Sequence, residues 1–255
     1  MIDTVDHIII VVEDLHSAEE NYTKILGIKP VWRGVHNALG TSNVLFNFEN
    51  TYLELLSATG SGIGADLVKQ TIKEKGDSLL GLVLGTKDIK SFREIIKKSG
   101  HFLSELSDGE GKNEQNERRE WLLQFLPNEL TRGIFSFVVE HKSEGLPLPV
   151  KDKSTVSRLE QVVVKTNDIN GFIKVYRDIF GIRLALDKFV EAWKKRILFF
   201  RLNKTTIEVI EEKNEEDIPK DSLWGLAWGV SDISQTRKRL VANNIEVSDI
   251  KPGVK

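Results

Sequence analysis

The stretch His7-Ile8-Ile9-Ile10-Val11-Val12, followed by Glu13-Asp14 and then Leu15 to Leu26, decides the fold. Its β-branched run predicts a strand, and behind it Leu15, Ala18, Tyr22 and Ile25 recur at helical spacing. Asp14 stands at the helix N-cap, and Gly27 stands where a helix closes in a left-handed residue. Three apolar runs follow, Lys29 to Val35, Ser42 to Phe48 and Tyr52 to Leu56, and each reads as a strand. The unit is therefore strand, helix, three strands.

Adding 154 to these positions recovers the same pattern without a gap. Gln161-Val162-Val163-Val164 matches the first strand, and Asp14, Tyr22, Ile25, Gly27, Ile28, Ala38, Phe46, Thr51 and Glu54 are identical to their partners. Strand falls on strand and cap on cap, which marks a duplicated supersecondary unit rather than chance identity. A second repeat, at offset 144, lies between the copies: Gly81-Leu82, Gly85 and Asp88-Ile89 match Gly225-Leu226, Gly229 and Asp232-Ile233. Helices are predicted over Ile89 to Lys98 and Ile233 to Ala242. The second unit continues through strands at Trp121 to Leu126 and Ile134 to Glu140, with Ser107 to Glu120 read as a charged loop.

The chain thus holds four βαβββ modules in the order A, B, A, B. The last is truncated at Pro252-Gly253-Val254-Lys255, so either the sequence is trimmed there or its last half-sheet is supplied otherwise. The expected fold class is α+β, with two cupped mixed-sheet domains at 1–145 and 155–255. They are joined by the Pro-containing linker Ser143 to Ser154.

The bulk properties narrow the partners. A chain of 255 residues with 40% hydrophobic and 29% charged residues is long and ordinary enough to bury two cores. A formal charge of -2 with both signs interspersed offers no field for a polyanion, so no nucleic-acid partner is expected and a small molecule is. Without cysteine there is no disulfide scaffold, thiolate nucleophile or Cys-ligated zinc, which agrees with a reducing, cytoplasmic setting. An acidic N-terminus and the lack of a membrane-length apolar run argue against export and a membrane partner. A homodimer is left open.

Candidate chemistry sits at repeated places. His7 and Gln161 open the first strands of the two A units, and Glu54 and Glu208 lie in their last strands. Imidazole, amide oxygen and carboxylate are donors that a divalent ion of borderline hardness accepts. Each has a plainer explanation. A strand-edge His is commonly a hydrogen-bonded structural residue, Gln161 is a poor metal donor, and Glu208 beside Glu211 and Glu212 reads as solvent-facing. Glu54, between Leu53 and Leu55, points away from both, and if that side faces a cup its carboxylate wants a cation or donors. His16, His101 and His141 have no repeat partner and default to the surface. Trp224 and Trp228 default to core packing. Gly60-Ser61-Gly62-Ile63-Gly64 lacks both the dinucleotide spacing and the P-loop Lys, and reads as a flexible connector bordering the cup.

The module order, Asp6-His7-Ile8-Ile9-Ile10-Val11 and Tyr52-Leu53-Glu54-Leu55 resemble the vicinal oxygen chelate superfamily, particularly its glyoxalase-like branch. His36-Asn37-Ala38-Leu39-Gly40-Thr41-Ser42-Asn43 is similar to a segment with His before Gly-Thr-x-Asn in bacterial glyoxalase-like proteins. Its partner position in the second A unit is Val190.

That resemblance implies a divalent metal ion (Zn, Ni, Mn or Fe) held by His7 and Glu54. Gln161 and Glu208 complete the set if the two A units share one cup. If adjacent modules pair instead, the site faces Gly81 and roughly Ser136, and His36 is the third donor. Glu54 or His36 then carries the proton, in isomerase or lyase chemistry on a small oxygen-chelating molecule, or in iron-dependent dioxygenase chemistry. The alternative is a non-catalytic binding or resistance-type protein, with stacking aromatics such as Trp32 or Trp121 and no ion.

Overall fold

In the computed structural model, which describes residues 1–212 and 219–253, the first strand β1 (Thr4–Val11) runs through the sequence that opened the repeat. Helix α1 (Leu15–Leu26) follows. The Asp14 side chain accepts the Ser17 N–H at 3.0 Å, and the left-handed Gly27 sends its N–H to the Thr23 carbonyl. Strands β2 (Trp32–His36), β3 (Thr41–Asn47) and β4 (Tyr52–Ala58) complete the first module. After α2 (Ile63–Lys75), the second module comprises β5 (Ser78–Gly85), α3 (Ile89–Lys98), β6 (Ser107–Asn113), β7 (Arg118–Phe125), α4 (Asn128–Thr131) and β8 (Phe137–His141).

These two modules close on each other. The strands form an eight-stranded barrel in the order β1-β4-β3-β2-β6-β7-β8-β5. Antiparallel pairing of β1 with β5 makes one long seam, and the other is narrow, with only Gly34 opposite Asn113 and Val35 opposite Lys112. Sequence-adjacent modules therefore share one barrel, and the two A units do not. The segment expected to be a charged loop is instead mostly strand, because β6 and β7 pair as a hairpin across Gly109–Trp121 and Gly111–Arg119. Apart from Arg119 its charges point outward, and its inward places are glycine, arginine and tryptophan, which hides the alternation.

The third module has β9 (Val156–Thr166), α5 (Ile169–Ile173) continued by a π-helical stretch Lys174–Ile179, then β10 (Arg183–Val190), β11 (Lys195–Leu202) and β12 (Thr205–Glu211). With β13 (Asp221–Val230) it makes an open five-stranded sheet, β10-β11-β12-β9-β13, after which α6 (Ile233–Ala242) begins at the Asp232 cap. β10 is an edge strand, largely exposed, and carries Arg183, Asp187 and Lys188. Of the expected stop of the fourth unit at Pro252-Gly253-Val254-Lys255, Val254 and Lys255 lie outside the described residues.

Helices α1, α3 and α5 pack with strands of barrel and sheet in one apolar layer. Ile8, Phe46, Leu53, Phe92, Phe172, Tyr176, Phe180 and Phe200 all belong to it, with the Phe92 and Phe180 rings 6.0 Å apart. Polar anchors fix the two halves. Asn50 donates to the Leu159 carbonyl and the Thr205 hydroxyl, and buried Arg132 donates to both carboxylate oxygens of Asp221 and to Asp168. Arg239 of α6 hydrogen-bonds the Lys24 and Ile25 carbonyls at the end of α1.

Candidate active site inside the barrel

Strand alternation decides what points into the barrel. On β1 these are His7 and Ile9, which pair with Tyr52 and Glu54 of β4. Across the sheet, Glu54 pairs with Leu45, Asn43 with Gly34, and Thr41 with His36, so all of these share the inner face. The second module contributes Val83, Val139, Leu123, Phe135 and Phe137 to the apolar floor. One wall of the barrel is thus polar and the other greasy.

On the polar wall, His7 is the hub. Its Nδ1 lies 2.7 Å from Asp6 Oδ1, and its Nε2 is 3.3 Å from Glu54 Oε2. The Asn43 amide donates to Glu54 Oε1 at 2.6 Å and stands 3.5 Å from His36 Nε2, while His36 Nδ1 meets Thr41 Oγ1 at 3.1 Å. His141, at the end of β8, approaches Asp6 with its Nε2 at 3.0 Å. Tyr52 stacks on His7, with centroids 4.5 Å apart, and Trp121 meets His36 edge-on at 6.1 Å.

The charges follow from these contacts. Burial by itself lowers the proton affinity of His7, but the hydrogen bond to Asp6 and the contact with Glu54 outweigh it and push the imidazole up to about 9. Burial works against ionisation of Asp6 and Glu54 as well. The two histidines on Asp6 nevertheless hold it far below the usual carboxylate range, and His7, His36 and Asn43 hold Glu54 below it. His36 moves the other way: burial lowers it, Glu54 opposes, and His7 and Arg119 add to the lowering. It is a neutral imidazole beside a charged carboxylate.

Of the residues singled out from sequence, His7, His36 and Glu54 come together here. Gln161 and Glu208 do not join them. They lie on the second sheet, where Gln161 pairs with Thr206 and Glu208 with Val163, in the same register relation as His7 and Glu54. Burial there pushes the Glu208 carboxyl up. Ser136, facing the first site by sequence alignment, donates to the Leu82 carbonyl, and the inward places beside it are Phe135 and Phe137. His141 is not the surface residue expected, because barrel closure brings it to Asp6. Asp6, Asn43, Arg119 and His141 were missed as site residues. Only Asn43, inside the quoted His-to-Asn segment, had a local signal.

The donor set can be tested against a divalent ion. Two ligands of one tetrahedral ion, each about 2.0–2.1 Å from it, stand roughly 3.4 Å apart, and His7 Nε2 and Glu54 Oε2 are 3.3 Å apart. Asp6 behind Nδ1 fixes the ring with Nε2 forward, the usual outer support of a ligating histidine. Among the described residues no third His, Asp or Glu completes a metal-holding group. The pair fits two positions of an ion.

The βαβββ barrel with a histidine–glutamate pair inside it defines the class, and comparison with known proteins agrees. Residues 5–180 match the family described as "Glyoxalase-like domain", and residues 160–255 match "Glyoxalase/Bleomycin resistance protein/Dioxygenase superfamily". The chain belongs to the glyoxalase-like domain family, within the vicinal oxygen chelate superfamily. Among solved structures, a mutant of 4-hydroxymandelate synthase from Streptomyces coelicolor is similar with TM-score 0.66 at 15% identity, covering 95% of this chain and 75% of that one. A hypothetical protein from Staphylococcus aureus is similar with TM-score 0.60 at 17% identity, covering 84% and 87%. At these identities the likeness is one of fold. No curated protein matches.

Proposed function

We propose that the chain is a metal-dependent enzyme of the glyoxalase-like class, acting on a small molecule that chelates a divalent ion through neighbouring oxygens. The observation that carries this is the Asp6–His7–Glu54 arrangement, with an imidazole nitrogen and a carboxylate oxygen at ligand-to-ligand separation. His7 and Glu54 would hold the ion, and Asn43 would keep Glu54 in place through its second oxygen. A bound ion supplies Lewis acidity toward the substrate oxygens. His36, neutral and buried near Glu54, is the proton carrier: its Nε2 accepts the proton, while Nδ1 is oriented by Thr41. The hydrophobic floor from the second module excludes water from the reacting face.

This set suits isomerase or lyase chemistry, a proton moved at a carbon beside a chelated oxygen. Iron-dependent dioxygenase chemistry is the second form, and it needs His36 as a third ligand. Elemental analysis of protein purified without chelator tests the metal first. We expect about one divalent ion per chain in the wild type, and a loss of at least ten-fold in content in a folded His7→Ala variant. Equal content in the two proteins would remove His7 as a ligand and both reactions with it. A non-catalytic binder is the second reading, supported by Trp32 and Trp121 on the inner face; it gains if no ion is taken up even on reconstitution.

A further inference from the structure

Two arginines of this chain are equally buried, each 9% exposed, and they differ in one respect. Arg132 is paired with Asp221 at 2.8 Å and Asp168 at 3.2 Å. Arg119, on the inner face of β7, forms no ion pair among the described residues, and its Nε has no hydrogen-bond partner. What it has instead is aromatic. The guanidinium carbon lies 5.7 Å from the Trp32 ring centre and 5.5 Å from that of Tyr52. Facing rings and a hydrogen-bonding contact with the Tyr52 hydroxyl offset part of the desolvation of the cation, but they bring no carboxylate to its fork.

The setting is built for this side chain. Arg119 pairs across the hairpin with Gly111, which presents no side chain toward it. A Cβ on Gly34 would stand 2.3 Å from Trp32 Nε1, so glycine there is what lets the Trp32 ring lie along its own strand. Tyr52, the other ring, stacks directly on His7, which places Arg119 one aromatic ring away from the His7–Glu54 pair.

We propose that Arg119 is the recognition site for an oxyanionic group of the substrate, so that the cup takes a small organic acid rather than a neutral compound. The guanidinium fork matches two oxygens of a carboxylate or a phosphoryl group, and in a buried setting such a bidentate pair is strong and directional. The proposal rests on the barrel interior being a small-molecule site. It does not depend on an ion being bound there.

The test uses full-length, chelator-treated protein, so that a failure of the metal reading leaves it intact. Glycolate, methylphosphonate and neutral glycolamide are titrated at constant ionic strength, with melting temperature and tryptophan fluorescence as readouts. Wild type should bind glycolate or methylphosphonate with a rise in melting temperature, and the tighter of the two identifies the anion class. Binding should weaken about ten-fold or more in Arg119→Met and recover in part in Arg119→Lys. Arg119→Met should itself melt at or above the wild-type temperature, since it removes an unpaired buried cation. A variant that melts lower while binding the anions as well as wild type would overturn the assignment. So would glycolamide binding as tightly as glycolate, or neither anion binding wild type at all.

Discussion

At the scale of single residues, the barrel interior is governed by His7. Its imidazole sits between two carboxylates and is pushed up to about 9, from 6.5 in an unfolded chain. A raised histidine stabilises the fold fully below the unfolded value and loses that contribution as pH climbs through the folded one. Metal-free protein should therefore lose on the order of 3 kcal/mol between about pH 6.5 and 9. Urea melts of chelator-treated wild type and His7→Gln across that range would show it. Parallel curves for the two proteins would mean that His7 is not the charged hub described. His7, His36 and Glu54 were legible because a repeat and a short motif marked them. Arg119 and His141 carried no such mark, since only barrel closure brings the second module's strands over the first.

At the scale of elements, the glycine-rich connector shows how a site residue is held from outside. Gly40, at φ +68°, ends the turn that follows His36, and a Cβ there would lie 2.4 Å from the Ser61 carbonyl oxygen. The Gly40 carbonyl accepts from Thr59 and Gly60, and the Leu39 carbonyl from Ala65. Gly60-Ser61-Gly62 is thus a close-packed brace for the His36 turn, not the flexible connector expected from sequence. Gly40→Ala meets both a disfavoured backbone conformation and a backbone collision, so it should cost about 2–3 kcal/mol. Because the strain falls on the His36 turn, ligand affinity should drop along with the melting temperature. A variant as stable as wild type would show that the brace is loose. The strands of the A units were readable because the first is a β-branched run, the others are apolar runs, and the two copies repeat them in one register. Strand β6 and the start of β7 were not, because glycine on the inner face removes the hydrophobic alternation that reveals a strand.

At the scale of the molecule, barrel and sheet are one apolar body pinned by buried charge. Arg132 and Asp221 are the pin, with Asp221 only 2% exposed. Removing one partner strands the other, so Arg132→Ala should cost about 3–5 kcal/mol, whereas the apolar double replacement Arg132→Met with Asp221→Leu should regain most of it. Guanidinium unfolding followed by both tryptophan fluorescence and circular dichroism would measure this; a single-variant loss under about 1 kcal/mol would show that the pin is dispensable. The same contrast between a closed and an open sheet has a colloidal consequence. Among the described residues the barrel strands close on themselves, whereas the open sheet ends in two edge strands, β10 and β13, of which β10 is largely exposed. Arg183, Asp187 and Lys188 stand on that edge as gatekeepers. Charges on an exposed edge disfavour strand-to-strand association, so replacing them with apolar residues should make the concentrated protein prone to fibrous self-association.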